Sequence, residues 1–143
     1  MATRATLRTN AWDRVYTYLQ TTNPISTNNI FSAWNSTLAS DKGYPLVIIH
    51  SPNISFTKVT ANGNITESEI NMMIEVYHNS AETCKAMADE VTAKLLAGRV
   101  NFTSDRMMNM NIDGGDDSSW AEGKGRKIHV ISFNVTFRYV GSS

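Results

Sequence analysis

One cysteine, three prolines and no net charge set the first limits on this 143-residue chain. A lone Cys84 cannot form an internal disulfide, so the fold must rest on its apolar core, which suits a reducing compartment. Thirteen basic and thirteen acidic side chains cancel, leaving no global field to grip DNA, RNA or an anionic membrane. No segment reaches the roughly 20 apolar residues that a membrane-crossing helix needs. The opening Met1-Ala2-Thr3-Arg4-Ala5-Thr6-Leu7-Arg8 lacks the apolar run of a signal peptide. The chain therefore reads as soluble, made in a cytoplasm and without a membrane partner. On that reading the Asn-x-Ser/Thr triplets at Asn35, Asn53, Asn64, Asn101 and Asn134 are background of an Asn- and Thr-rich composition rather than glycosylation sites.

Groupings that could carry catalysis are equally scarce. His50, His78 and His129 fall on or near strand-like segments, but no two have a local ligand spacing such as His-x-x-x-His, so they read as unrelated. Asp113, Asp116 and Asp117 beside Gly114 and Gly115 resemble a calcium loop only loosely. The ordered acidic pattern and its closing glutamate are missing. Gly114-Gly115 is followed by no Gly-Lys-Ser/Thr, and Ser80 and Cys84 lie in no nucleophile motif. The expectation is a non-enzyme with no cofactor and no metal.

What the chain does have is clear patterning. Ile70, Met72, Ile74 and Val76 alternate with Glu69, Asn71, Glu75 and Tyr77, the period of a half-buried strand, Met73 being the apolar exception. After His78 the period changes: Cys84, Met87, Ala88, Val91 and Leu95 form one stripe of an amphipathic helix, with Glu82, Lys85, Asp89 and Lys94 opposite. Asn79 with Glu82 reads as a capping box, and Gly98 as a left-handed stop. Upstream, Leu7, Ala11, Trp12, Val15, Tyr18 and Leu19 predict a first helix over 7–21, ended by Asn23-Pro24. Residues 25–44 give no firm signal.

Leu46 to His50 is a continuous apolar run, as in an interior strand. Ile54, Phe56 and Val59 start a further strand, and Asn62-Gly63 predicts the hairpin into the strand that ends at His78. Met108, Met110 and Ile112 predict a short strand. Asp113 to Gly125, with Asp113, Asp116, Asp117, Trp120 and Glu122, reads as a solvated loop. From Lys127 to Val140 a long strand sets His129, Ile131, Phe133, Val135, Phe137 and Tyr139 against Ser132, Asn134, Thr136 and Arg138. The sum is one α+β domain over residues 1–143, a mainly antiparallel sheet of about five strands with two helices on one face. The sheet's polar face is left to water or another subunit.

These elements together resemble the tail terminator, or tail completion, proteins of long-tailed bacteriophages and related tailed viruses. The likeness rests on the N-terminal helix, the Tyr44-Pro45-Leu46-Val47-Ile48 strand, the junction Ile74-Glu75-Val76-Tyr77-His78-Asn79-Ser80-Ala81-Glu82 and the final strand Ile131 to Tyr139. The Asn/Ser/Thr-rich stretch from Ile25 to Tyr44 departs from the pattern. What the resemblance implies is a virion protein forming a hexameric homo-oligomer. That ring would cap the head-proximal end of the tail tube, meet the tube protein on one side and the head connector or neck protein on the other, and let DNA pass through its lumen without specific binding. The candidate lumen or partner-facing loop is then Asp113, Gly114, Gly115, Asp116, Asp117, Trp120 and Glu122. The long last strand, with Asn134, Thr136 and Arg138, is the candidate inter-subunit strand, its backbone offered at a sheet edge. Arg4, Arg8 and Arg14 form a candidate N-terminal interface. Three alternatives stay open: a head-side stopper or adaptor ring, a small metal-dependent enzyme, and a nucleic-acid-binding module built on the same arginines with Trp12.

Overall fold

A computed structural model describes residues 6–33, 43–59, 65–114, 117–122 and 126–142. Its frame is a pair of long antiparallel strands, β4 (Ile65–His78) and β7 (Arg126–Ser142), in register from Ile65↔Ser142 to His78↔His129. Each carries two short strands on its outer side. Next to β4 lie β2 (Leu46–Ile49) and β3 (Asn53–Val59), both antiparallel to it, with β1 (Ile30–Phe31) parallel to β2 beyond. Next to β7 lie β5 (Met107–Asp113) and β6 (Asp117–Glu122), both antiparallel. The helices are α1 (Leu7–Thr17), continued by a wider π turn over Tyr18–Thr22, then α2 (Ala81–Ala97) and α3 (Arg99–Ser104). The fold is α+β and mostly antiparallel, as the sequence predicts, with seven strands because β1 and β6 add to the expected five.

The apolar stripes meet where their periods predict. Leu7, Ala11 and Val15 from α1, and Cys84, Met87, Ala88, Val91 and Leu95 from α2, close over Ile70, Met72, Ile74 and Val76 of β4 and Phe133, Val135 and Phe137 of β7 in one cluster. Every β2 residue is buried, as an interior strand of continuous apolar residues requires. All described helices bury their apolar side on this one face. Trp12 fixes α1 by donating its indole N–H to the Ile49 carbonyl at 2.7 Å, while its ring stacks on Tyr16 with centroids 4.9 Å apart.

Several local expectations are corrected. α2 has no capping box: its N-cap is Ser80 without a side-chain bond, and Asn79 instead lies against the His78 ring, Oδ1 to Nδ1 2.8 Å. Gly98 is not left-handed. Its φ is −87°, and α3 starts directly after it. Glycine is needed there because a Cβ would sit 2.5 Å from Cζ of Tyr18, whose ring crosses the α2–α3 corner. In β5 the buried methionines are Met107 and Met110, with Met108 only half-buried. Asn109, at φ +53°, lies in an irregularity between Met108 and Asn111 that resets which residues face the core. The Asn62-Gly63 turn lies outside the described residues, although β3 and β4 pair as that hairpin requires. In the segment without a firm signal, Ile30 and Phe31 form β1, and residues 34–42 lie outside those described.

Candidate functional site

Because successive side chains of a strand point to opposite faces, the sheet presents a reverse face away from the helices. Half of it is apolar. Leu46 and Ile48 of β2, Tyr77 of β4, and Ile128 and Val130 of β7 form a second buried cluster, against which Phe31 and Tyr44 pack. The sequence reading set Tyr77 among the polar residues; its ring is 8% exposed. At the border of this cluster, Glu75 Oε1 accepts from the Tyr77 hydroxyl at 3.3 Å and contacts His50 Nε2. Burial first, then the charge and hydrogen bond of Glu75 and the neighbouring Tyr44, push the Tyr77 hydroxyl up to about 12. It therefore stays a donor to the carboxylate.

The other half of the reverse face is open and polar. Asn134, Thr136 and Arg138 lie there beside Met73, Asn71 and Glu69 on β4 and Asp113, Asn111 and Met108 on β5. Arg138 Nε meets Glu67 Oε1 at 2.6 Å, an ion pair whose side chains are 50% and 28% exposed and so one that contributes little to stability. Thr136 donates its hydroxyl to the Asn111 carbonyl at 3.4 Å. The result is a plate of amides and hydroxyls with Met73, 38% exposed, among them.

The candidate inter-subunit residues Asn134, Thr136 and Arg138 do share one face, but β7 is not an edge. β4 pairs with it along one side, and β5 and β6 pair with most of the other. Its length is used inside the chain because His129 to Ser142 pairs along the whole of Ile65–His78. The strands with an unpaired side among the described residues are β1, β3, β5 and β6. Two of these edges, β3 and β5, carry bulges or irregular register, which blunt strand addition.

The acidic candidate loop is also partly strand. Asp113 closes β5 and, like Gly114, is exposed. Gly115 and Asp116 lie outside the described residues. Asp117, Trp120 and Glu122 belong to β6, paired with Ile131, Ile128 and Arg126 of β7. The register Glu122↔Arg126 leaves three connecting residues, a common hairpin length. Gly123-Lys124-Gly125 is a turn signal that the loop reading passed over.

Of the arginines proposed at the N-terminus, Arg4 lies outside the described residues. Arg8 Nε donates to the Pro52 carbonyl at 3.2 Å, and Arg14 Nε lies 3.6 Å from Asp105 Oδ2 with its side chain 59% exposed. Arg14 borders a cleft of about 280 Å³ between α1 and the turn from α3 into β5. Leu7, Ala11 and Met107 form its buried floor, with Arg14, Asp105 and Arg106 on the rim. Arg106 stands at φ +65° while its N–H closes the end of α3 on the Thr103 carbonyl at 2.9 Å. A left-handed backbone strains a residue with a Cβ by about 1–2 kcal/mol. Nothing in the sequence marked this residue.

The three histidines do not converge. His78 and His129 face each other across β4 and β7, a pairing the spacing did not reveal, whereas His50 meets Glu75 on the reverse face. His78 Nδ1 accepts the Ser80 N–H at 3.2 Å. Among the described residues no group of three or more His, Cys, Asp or Glu is placed to hold a metal ion. Cys84 is buried, its thiol donating to the Val76 carbonyl at 3.3 Å. Among the described residues no helix is long and apolar enough to cross a membrane.

The chain matches no protein-family profile and no curated protein. Among solved structures its fold is similar to that of a chain from the virion of a native gene transfer agent particle. The likeness has a TM-score of 0.54 at 13% identity and covers 91% of this chain and 94% of that one. At this identity the likeness is one of fold, and it spans nearly the whole of both chains.

Proposed function

We propose that this chain is a structural virion protein that acts as a tail terminator. Copies of it close into a six-membered ring on the head-proximal end of a tail tube, stop tube growth and join the tail to the head connector. The observation that carries this reading is the near end-to-end fold likeness to a virion chain, in agreement with the junction Ile74 to Glu82 and the order of elements seen in the sequence. The surfaces fit an assembly role. A polar plate, a partly apolar reverse face and a rimmed cleft supply several distinct contacts on one small subunit, and its zero net charge suits a channel that DNA crosses without being held. On this reading the protein works by position rather than by catalysis, assembles in the host cytoplasm and remains in the virion's neck.

The test is addition of the purified protein to growing tail tubes of its virus. Tubes that stop lengthening and carry one ring at a single end support the terminator reading. Rings that bind isolated heads but leave tube growth unchanged assign the chain to the head side of the joint. A protein that binds neither overturns both.

A further inference from the structure

We infer that His78 and His129 form a two-imidazole site for a divalent transition-metal ion, a site that the ring reading neither needs nor uses. The two residues are direct partners in the long antiparallel pair of β4 and β7. Residues directly opposite in such a pair point to the same face, with Cβ atoms about 4.5–5.5 Å apart. Two ring nitrogens on one ion, each bound at about 2.0–2.1 Å, lie about 3–4 Å apart, and rings rooted at that Cβ spacing reach this by rotation of their side chains. Both residues continue the helix-side stripes, His78 after Ile74 and Val76, and His129 before Ile131 and Phe133. Both are half-buried, so ions from solvent have access to the pair.

The ring nitrogens are arranged for this. His78 engages its neighbours through Nδ1, which lies 3.2 Å from the Ser80 N–H and 2.8 Å from Asn79 Oδ1, and this leaves Nε2 for an ion. Ligation at Nε2 moves the remaining ring proton to Nδ1, where Asn79 Oδ1 accepts it, the outer-shell contact that orients a metal-ligating histidine. The His129 ring has no hydrogen-bond partner among the described residues. Cys84 does not complete the site, because its thiol is directed at the carbonyls of Val76 and His129, at 3.3 and 3.5 Å. No third His, Cys, Asp or Glu joins the pair among the described residues. Two imidazoles with water in the other positions favour Zn²⁺, Ni²⁺ or Cu²⁺ over Ca²⁺ and Mg²⁺, which take oxygen ligands. A bound ion ties the last residue of β4 to β7 just ahead of α2 and so staples that corner of the sheet.

Metal titration of the full chain tests the site. After removal of adventitious ions with a chelator, saturating Zn²⁺ or Ni²⁺ at about pH 7.5 should raise the Tm by roughly 5–10 °C, whereas Mg²⁺ or Ca²⁺ should not. The rise should disappear near about pH 5, where protons compete for imidazole nitrogens. His78→Gln and His129→Gln should each remove most of it. His50→Gln, on the reverse face beside Glu75, should keep it. A wild-type Tm that Zn²⁺ and Ni²⁺ leave unchanged, or a full rise in either His78→Gln or His129→Gln, overturns the site. The histidine ring signals in NMR give a readout that needs no variant: one equivalent of paramagnetic Ni²⁺ should broaden those of His78 and His129 and spare that of His50. Broadening of His50 alone, or of none of the three, also overturns the site. Each of these results leaves the ring reading where it stands.

Discussion

Alanine at Gly98 separates two physical reasons for a glycine. If the residue were needed for a left-handed stop, Gly98→Ala would cost about 1 kcal/mol whatever surrounded it. The backbone there has φ −87°, which alanine adopts freely, so that term vanishes, and the smaller entropy of the unfolded alanine chain contributes a gain of about 0.4–1 kcal/mol. Against it stands the ring of Tyr18: the new Cβ would lie 2.5 Å from Cζ and 2.8 Å from both Cε1 and Oη. Tyr18 cannot swing aside easily. It is 5% exposed, packs on Phe102 at a centroid distance of 5.0 Å and accepts a hydrogen bond from Asn23 at 3.1 Å. Overpacking of this kind costs about 1–3 kcal/mol, so the net loss should be about 1–2 kcal/mol, a fall in Tm of roughly 3–8 °C. Thermal melts of Gly98→Ala in wild-type and Tyr18→Leu backgrounds decide the matter. The alanine should be neutral or stabilising once the ring is gone. An equal loss in both backgrounds would refute the steric account.

Three further outcomes follow from the same geometry. Trp12→Phe keeps a ring over the helix seat but leaves the Ile49 carbonyl without its 2.7 Å donor; chemical denaturation should show a loss of about 1–3 kcal/mol. Tyr77 has its hydroxyl pushed up to about 12 from the ordinary 10.0, so its contribution is present below pH 10 and is lost as pH rises toward 12, because the unfolded chain ionises first. The fall in Tm between pH 9 and 11.5 should be smaller in Tyr77→Phe than in wild type. Arg106→Gly releases the strain of φ +65° and should raise stability by about 0.5–1 kcal/mol in chemical denaturation.

The sequence was most legible where one period ran unbroken. The stripe from Cys84 to Leu95 and the alternation from Ile70 to Val76 locate α2 and β4, and both pack as their spacing requires. It was least legible where one residue serves two constraints. Gly98 has the sequence signature of a stop yet exists to admit Tyr18, a contact between residues far apart in the chain. Asn109 breaks the period of β5 with a local bulge that no alternation announces. Asp117 to Glu122 reads as loop because it has no apolar alternation and lies between glycine pairs, yet its backbone finds a partner in β7. The longest strand suggested an edge by its length and its polar face, but β4 pairs with it from His129 to Ser142 and makes it central. Among the interface candidates, Arg8 and Arg14 were recoverable as charges on a helix, and only the folded chain shows Arg106 joining Arg14 around one cleft.

The central claim, a ring-forming virion protein, is tested most directly by native mass spectrometry of the purified chain, free and bound to tail tubes. The account predicts a species at six times the 15.9 kDa protomer mass, enriched on the tubes. A protein that remains a single 15.9 kDa species in both states would contradict it.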